Sequence, residues 1–215
     1  MIKAVLFDYD GVLVNSLPFH VKAWQNVLSA YNIKVKPDDV RLREGSRSIE
    51  IAREIFEDWN VNISEDALVK LVETKQRIYR DITKAKLEHG VEAFLDKLKR
   101  QGILLGLVTG SARLNVQAVL NSAVTGQFDI FISGDDVNEG KPSPEAYLKA
   151  AHELNVAPSQ CLVIENAPLG IEAAKKAGML VVGLTTTLDQ SHLDGADFIA
   201  QDLMELANRW ETFRN

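Results

Sequence analysis

The sequence predicts an α/β protein in which a doubly wound parallel sheet is interrupted by an all-helical insertion. Three observations predict this class. A strongly apolar run of strand length occupies residues 2–7, only helical patterns follow over residues 15–85, and from residue 86 onward short apolar runs alternate with helical patterns. Strands that alternate with helices favour right-handed crossovers and a parallel sheet. We therefore assign residues 1–14 and 86–215 to a core domain and residues 15–85 to a helical insertion.

The bulk composition excludes several classes of protein. Of the 215 residues 46% are hydrophobic and 25% are charged, which is typical of a soluble globular protein. The net charge of −6 comes without a basic run, so nucleic-acid binding gains little support. No apolar stretch approaches membrane-spanning length. The single cysteine, Cys161, gives no disulfide framework, and Met1 leads into the first strand without a signal-like segment. We expect a cytoplasmic protein without nucleic-acid or membrane partners.

The first predicted strand ends in two acidic residues. Residues 2–7 read as a strand that is buried on both faces, and Asp8 and Asp10 follow directly, ahead of Gly11. Because side chains alternate along a strand, both carboxylates point the same way at its carboxyl end. Two neighbouring carboxylates repel each other unless a cation or a shared proton offsets the charge. The pair therefore indicates either a Mg²⁺ site or a simple Asp-Gly turn.

The predicted insertion consists of helices alone. Apolar residues recur at helical spacing after Pro18, and further helical patterns occur near residue 37, across residues 49–59 and across residues 64–82. The first of these helices is marked by Leu17, Val21, Trp24, Leu28 and Tyr31. No convincing strand interrupts this block, which is why we treat it as one insertion.

The remaining elements alternate between helix and strand. Gly102 is typical of the residue after a helix end and stops the helix that precedes the second strand. The predicted strands lie at residues 103–108, 130–132, 161–164, 180–184 and near 198–199. The predicted helices cover residues 91–101, the segment with Leu114 and Leu120, the segment from Tyr147 to Leu154, and a segment that stops at Gly178.

Polar residues follow these strands at what should be one edge of the sheet. The second strand ends in Thr109-Gly110-Ser111, a loop after the third carries Lys141, and the fourth ends in Glu165-Asn166. Taken singly, these residues also fit a turn, a surface lysine and a helix-start carboxylate. In an open parallel sheet, ligands bind at the carboxyl ends of the strands. Acids suit Mg²⁺, whereas backbone N–H groups and a lysine suit an anion. Together they predict a site for Mg²⁺ and a phosphoryl group.

The order and spacing of these motifs resemble the haloacid dehalogenase superfamily. The matching stretches are residues 8–16, Thr109 after an apolar strand, residues 140–142 and residues 163–179. The resemblance covers essentially the whole chain and implies a Rossmann-like core. The helical insertion is similar to the small helical cap of the β-phosphoglucomutase-like and phosphoglycolate phosphatase-like branch of that family.

The resemblance implies a role for each residue of the motifs. Asp8 would be the nucleophile that forms an aspartyl-phosphate, and Asp10 the general acid and then the base that activates water. Thr109 and the backbone N–H of Gly110 would hold the phosphoryl oxygens, and Lys141 would pair with Asp8 and the phosphate. This division fits phosphoryl transfer, which depends mainly on positioning and charge stabilisation. We expect a neutral Asp10 beside an ionised Asp8, the usual outcome for neighbouring carboxylates.

The resemblance also implies a Mg²⁺ cofactor. Asp8, the backbone carbonyl of Asp10, Glu165 and its neighbour Asn166 would hold the ion. Family members commonly carry two acids in this last motif, whereas the second position here is Asn166. An amide offers an oxygen but no charge, so we expect lower metal affinity with activity retained, and Asn166 could act as a direct ligand or through water.

The insertion supplies the residues that we expect to select the substrate. His20, Arg43 and Arg47 are its candidate substrate contacts; His20 lies off the apolar face of its helix and has a solvent-facing alternative. In the β-phosphoglucomutases a Thr, a His, a Lys-Gly pair and an Arg occur here, whereas this chain has Ser16, His20, Arg43-Glu44 and Arg47. Arginine does not exchange a proton as lysine does, and Glu44 adds an anion near the expected phosphate. Both differences favour hydrolysis over transfer.

The sequence therefore predicts a Mg²⁺-dependent phosphatase of a small phosphorylated metabolite, such as a sugar phosphate, that acts through an aspartyl-phosphate. A β-phosphoglucomutase-like phosphomutase is the first alternative. A non-catalytic binding protein that kept the fold is the second, and Asn166 is the only residue that favours it. Dehalogenation is disfavoured because Asp10 and the metal acid serve phosphoryl chemistry. We expect the insertion to open and close over the site, and the protein to be a monomer.

Overall fold

A single parallel sheet forms the centre of the molecule. The computed structural model describes residues 1–213, so the last two residues of the predicted core domain lie outside the described part. The strands are β1 (Ala4–Phe7), β2 (Leu104–Val108), β3 (Ile130–Ile132), β4 (Cys161–Glu165), β5 (Leu180–Leu184) and β6 (Phe198–Ala200). They form a six-stranded sheet in the order β3-β2-β1-β4-β5-β6, and every pairing is parallel. The predicted fold class is confirmed.

The helices follow the predicted order. Those before β2 are α1 (Leu17–Leu28), α2 (Pro37–Arg41), α3 (Ser48–Asp58), α4 (Glu65–Ile82) and α5 (Val91–Arg100). Those after β2 are α6 (Arg113–Gln117), α7 (Ser122–Thr125), α8 (Glu145–Glu153), α9 (Pro168–Lys176), α10 (Leu203–Asn208) and α11 (Trp210–Phe213). The sequence did not predict α10 and α11. None of the helices in residues 1–213 is both long and apolar enough to span a membrane.

Strand β1 lies at the centre of the sheet and sets the position of the polar edge. Phe7 is in register with Leu107 of β2 and with Ile164 of β4. The three strands therefore end level with one another. Asp8 and Thr109 follow their strands at this common edge, where β4 ends in Glu165.

The two faces of the sheet are covered by separate hydrophobic clusters. Because successive side chains of a strand point to opposite faces, Val5 and Phe7 enter one cluster and Ala4 and Leu6 enter the other. All four residues of β1 are buried. A strand that is buried on both faces is rigid, so the acids that follow it are held in fixed positions.

The helical insertion has a third cluster of its own. Its buried apolar residues come from α1 to α4 and from the segments between those helices. Two chain segments connect the insertion to the core, and they lie side by side: Val14 and Leu87 form an antiparallel bridge, and the Glu88 N–H donates to the Leu13 carbonyl at 2.8 Å. This arrangement is what the expectation of a separate unit over residues 15–85 requires.

Candidate active site

Lys141 and two carboxylates form the buried centre of the polar edge. Its Nζ lies 2.6 Å from Oδ1 of Asp8 and 2.6 Å from Oε1 of Glu165. All three side chains are buried. Burial raises the pKa of Asp8; Lys141 opposes the rise, and the Glu165 and Asp10 carboxylates add to it. Burial alone would lower the pKa of Lys141, but Asp8 and Glu165 together raise it. The lysine is therefore held firmly as a cation.

Glu165 is fully engaged in hydrogen bonds. Its Oε1 accepts from Lys141 Nζ and, at 3.0 Å, from the hydroxyl of Tyr147. Its Oε2 accepts from the backbone N–H groups of Asn166 and Ala167 at 2.8 and 3.1 Å. A carboxylate has about four acceptor positions. In this arrangement Glu165 fixes Lys141 and the turn after β4, and no acceptor position is left over for a metal ion.

Asp10 is held as a carboxylate by three side chains. Ser16 donates to its Oδ1, Ser111 donates to Oδ2 at 2.6 Å, and Nε2 of His20 lies 3.2 Å from Oδ1. Burial alone would raise the pKa of Asp10, but His20 and the hydroxyl hydrogen bonds lower it to about 2. Our expectation of a neutral Asp10 is corrected, because these donors stabilise the charged form.

A buried lysine that we did not predict lies behind His20. Nζ of Lys75, on α4, is 2.9 Å from Nδ1 of His20. The imidazole stacks on the Tyr79 ring at 4.0 Å, and Nζ also lies 4.9 Å from the Trp24 ring. Burial lowers the pKa of Lys75 to about 8. The sequence held a signal for it, because Lys75 falls on the apolar stripe of α4 with Leu68, Leu71, Val72 and Tyr79.

The Thr109 turn lies against the insertion. Thr109 is buried, and its hydroxyl accepts the backbone N–H of Ser111 at 3.0 Å. A Cβ on Gly110 would lie 2.2 Å from the Gly45 carbonyl and 2.7 Å from that of Ser46. Only glycine allows this approach. The Gly45–Ser46 segment also contacts a second core loop, where Ser46 Oγ donates to the Lys141 carbonyl at 2.8 Å.

Asn166 and Glu44 meet beside this centre. Nδ2 of Asn166 donates to Thr187 Oγ1 at 2.9 Å and lies 3.4 Å from Oε2 of Glu44. Burial raises the pKa of Glu44, and the Asp10 and Asp8 carboxylates raise it further. Within residues 1–213, Oδ1 of Asn166 and Oε1 of Glu44 are buried without a hydrogen-bond partner.

A cation at this edge has to use mixed donors. Among the described residues no three His, Cys, Asp or Glu side chains group closely enough to hold a metal ion. The unpaired Oδ1 of Asn166, the Asp8 carboxylate and the backbone carbonyl of Asp10 are oxygen donors of the kind that Mg²⁺ prefers. The chemistry of the donor set therefore fits a hard divalent cation.

The predicted substrate contacts of the insertion divide into two groups. His20 faces the cavity. The structure does not bring Arg43 to the cavity, because its guanidinium is bound on the outside of the insertion, by Glu54 at 2.9 Å and by Asp58. Arg47 donates to the Asn138 carbonyl of the core. Each guanidinium thus has carbonyl or carboxylate partners away from the cavity, which helical periodicity does not reveal.

A small cavity lies between the core and the insertion. It measures about 30 Å³, and its walls include Asp8, Asp10, His20, Glu44 and Lys75. A cavity of this size has room for no more than a few water molecules. A sugar phosphate does not fit into this cavity, so the described arrangement is a closed one, as the expectation that the insertion opens and closes requires.

Comparison with known proteins agrees with this geometry. The sequence model of the haloacid dehalogenase-like hydrolase family matches residues 2–178. Validoxylamine A 7'-phosphate phosphatase of Streptomyces hygroscopicus subsp. limoneus is 36% identical over 213 residues, 98% of this chain and 97% of that protein. β-Phosphoglucomutase of Bacillus subtilis (strain 168) is 31% identical over 225 residues, 99% of this chain and 97% of that protein.

The solved structures give the same assignment. A putative β-phosphoglucomutase from Bacteroides vulgatus superimposes with a TM-score of 0.86 at 27% identity, over 98% of this chain and 88% of that one. The two full-length relatives are a phosphatase and a phosphomutase by name. The chain belongs to the haloacid dehalogenase-like hydrolases and is an enzyme of the phosphatase and phosphomutase group within that family.

Proposed function

We propose that this protein is a Mg²⁺-dependent phosphatase that hydrolyses a small phosphorylated carbohydrate through an aspartyl-phosphate at Asp8. One observation carries the proposal. Lys141 fixes one oxygen of Asp8 at 2.6 Å, while Asp8 itself lines the cavity. A buried carboxylate held by a buried lysine beside a cavity is positioned for attack on a phosphoryl group, and the lysine offsets the charge of the transferred group.

In the first step an Asp8 oxygen forms a bond to phosphorus as the bond to the leaving alcohol oxygen breaks. Thr109 and the Gly110 N–H hold the phosphoryl oxygens, and Lys141 compensates their charge. The leaving oxygen takes a proton from Asp10. Since Asp10 is ionised in the closed structure, it must first receive that proton. Nε2–H of His20 gives its proton to Asp10 at 3.2 Å, and the Lys75 ammonium replaces it through Nδ1 of His20 at 2.9 Å.

In the second step Asp10 acts as a base. It takes a proton from a water molecule, which attacks the phosphorus of the aspartyl-phosphate and releases Asp8 and inorganic phosphate. The hydroxyls of Ser16 and Ser111 hold the Asp10 carboxylate in place. Its low pKa keeps the base form available at neutral pH.

Asp8, the Asp10 carbonyl and Asn166 would hold the Mg²⁺ ion. The ion supplies positive charge that neutralises the phosphoryl oxygens and orients them. Glu165 was also predicted as a ligand, and its hydrogen bonds favour a supporting role instead. It positions Lys141 and the backbone of Asn166.

The position of the arginines favours hydrolysis over a mutase reaction. A phosphomutase has to bind a second phosphate, for which a guanidinium is well suited. Arg43 and Arg47 are both engaged outside the cavity, and the acid Glu44 lines it. The mutase alternative stays open because β-phosphoglucomutase is among the full-length relatives. The intact pair of Asp8 and Lys141 disfavours a non-catalytic binding protein.

Phosphate release from a panel of sugar phosphates and small phosphomonoesters tests the proposal. We expect release with Mg²⁺, none with EDTA, and none from an Asp8→Asn variant that melts at the same temperature as the wild type. Conversion of a hexose 1-phosphate to its 6-isomer in the presence of bisphosphate, without net release, would establish the mutase instead. Inactivity in both assays would support the binding protein.

A further inference from the structure

Glu44 and Asn166 face each other where the helical insertion meets the core. Nδ2 of Asn166 lies 3.4 Å from Oε2 of Glu44, beyond the usual range of an N–H···O hydrogen bond. Glu44 is 7% exposed and Asn166 is 0% exposed. Each has one oxygen, Oε1 or Oδ1, that accepts no hydrogen bond from any described residue. Buried polar atoms normally have a partner, so two unpaired oxygens here indicate an absent one.

The charges at this place point to a cation as that partner. Glu44 lines the same small cavity as Asp8 and Asp10, so three acidic side chains meet there. The neighbouring cation, Lys141, is already bound by Asp8 and Glu165. A buried carboxylate among other carboxylates is stable only when a proton or a positive charge is added.

The core by itself offers little charge for a divalent cation. Asn166 is neutral, and the four acceptor positions of Glu165 are used by Lys141, Tyr147 and two backbone N–H groups. Of the two core side-chain carboxylates that were predicted to bind the metal ion, Asp8 and Glu165, only Asp8 is then left for it. An acid from the insertion would correct the deficit, and Glu44 is the acid that reaches this place.

We propose that Glu44 supplies an anionic oxygen to the Mg²⁺ site, so that closure of the helical insertion completes the site that Asp8 and Asn166 begin. The proposal rests on the proposed function for the identity of the ion. It adds that metal binding and closure stabilise each other, because one ligand comes from each side of the moving boundary.

Isothermal titration of the full-length protein with Mg²⁺ alone tests this proposal without any substrate. Affinity for a hard cation rises with the number of charged ligands. We expect Glu44→Gln to weaken Mg²⁺ binding on the order of tenfold to a hundredfold. Glutamine has the shape of protonated glutamic acid, so a Glu44 that is merely protonated in the wild type would give unchanged binding in this variant.

Two further variants make the result specific. Glu57, on α3, is an exposed acid of the insertion and is not part of the cavity wall. We expect Glu57→Gln to bind Mg²⁺ like the wild type. In the double variant Glu44→Gln/Asn166→Asp the core regains the lost charge, and we expect binding to recover.

Three results would overturn the proposal. The first is that Glu44→Gln binds Mg²⁺ with wild-type affinity. The second is that the double variant Glu44→Gln/Asn166→Asp binds as weakly as Glu44→Gln. The third is that the wild type binds no Mg²⁺ at 10 mM whereas the single variant Asn166→Asp does. Failure of the proposed function is recognised separately, by the absence of Mg²⁺-dependent phosphate release. Titration of the metal alone decides the role of Glu44 in either case.

Discussion

At the scale of single residues, the ionised state of Asp10 depends on the side chains that surround it. The hydroxyls of Ser16 and Ser111 and the ring of His20 stabilise its charge and lower its pKa to about 2, from an ordinary value of 3.8. An acidic group whose pKa is lower in the folded than in the unfolded protein stabilises the fold when the pH is above the unfolded-state pKa. This contribution is lost as the pH falls towards the folded-state pKa. Asp10 therefore contributes stability at neutral pH that disappears in acid.

The Asp10→Asn variant measures this contribution. At about 1.36 kcal/mol per pKa unit, the carboxylate contributes about 2 kcal/mol above pH 5, of which roughly half is lost by pH 3. We expect the difference in free energy of unfolding between wild type and Asp10→Asn to shrink by about 1 kcal/mol between these pH values. Urea unfolding at both values provides the measurement. A difference that is independent of pH would contradict the prediction, since the other acids titrate in both proteins.

Lys75 gives a prediction in which activity and stability change separately. Burial of its ammonium is unfavourable, which is why its pKa falls to about 8, and an apolar side chain of similar length removes that cost. We expect Lys75→Met to melt no lower than the wild type. We expect kcat/KM to fall about 10- to 100-fold because His20 loses its partner, and general acid–base catalysis is worth roughly this much or more.

The control for Lys75→Met lies on the same helix. Lys70 is exposed on α4, so Lys70→Met tests the loss of a lysine without the loss of the contact to His20. Both kcat/KM and the melting temperature should stay at wild-type values in Lys70→Met. A wild-type kcat/KM in Lys75→Met would show that the lysine has a packing role only.

The same residues show how far a site can be predicted from sequence. Asp8, Asp10, Thr109 and Lys141 were predictable because strand ends meet at one edge of a parallel sheet, which depends only on local sequence and topology. The role of Lys75 and the direction in which the Arg43 side chain points were not predictable. Each depends on how one helix of the insertion packs against another, and periodicity alone leaves that packing undefined.

At the scale of secondary structure, the elements that were missed are those that need distant partners. Helices α10 and α11 are short, and α11 starts with Trp210, which packs edge-on against Phe94 at 5.7 Å and donates to Gln101 at 2.7 Å. The predicted helix around Leu114 and Leu120 is replaced by α6 and α7, because Asn121 caps a new helix through the Ala123 and Val124 N–H groups. The strands needed no such help, and their ends were placed within two residues.

The contact between the turn after β2 and the insertion gives the next prediction. A methyl group on Gly110 would meet the Gly45 carbonyl at 2.2 Å, and the insertion can relieve that clash by moving away. We expect Gly110→Ala to keep its melting temperature within a few degrees while kcat/KM falls at least tenfold. Small-angle scattering should show a larger radius of gyration than for the wild type.

A glycine inside the core provides the contrast. A Cβ on Gly134 would lie 2.3 Å from the Gly110 carbonyl, and both residues belong to the core, so no separate unit can move to relieve the contact. We expect Gly134→Ala to lower the melting temperature clearly. Equal destabilisation of both variants would contradict the idea that the Gly110 contact lies on a movable boundary.

At the scale of the whole molecule, the sequence predicted two units but not how they close on each other. Alternation of strands and helices is enough to predict the sheet, whereas closure depends on specific contacts across the boundary. These include Ser46 with the Lys141 carbonyl, Glu50 with the Gly140 N–H and Arg47 with the Asn138 carbonyl. Because the cavity measures only about 30 Å³, we expect these contacts to break and form again in each turnover of a sugar phosphate.

A disulfide across the boundary tests this expectation. A Cβ on Gly140 would lie 2.9 Å from both the backbone N and Cγ of Arg47, which brings the two Cβ positions close to the 3.5–4.5 Å that a disulfide needs. We expect the double variant Arg47→Cys/Gly140→Cys to lose nearly all phosphate release when oxidised and to regain it with dithiothreitol. The native Cys161 is buried, so it will not exchange with the new pair. Each single variant should show the same phosphate release with and without dithiothreitol. Full activity of the cross-linked protein would contradict the model, because substrate would then enter without any opening of the insertion.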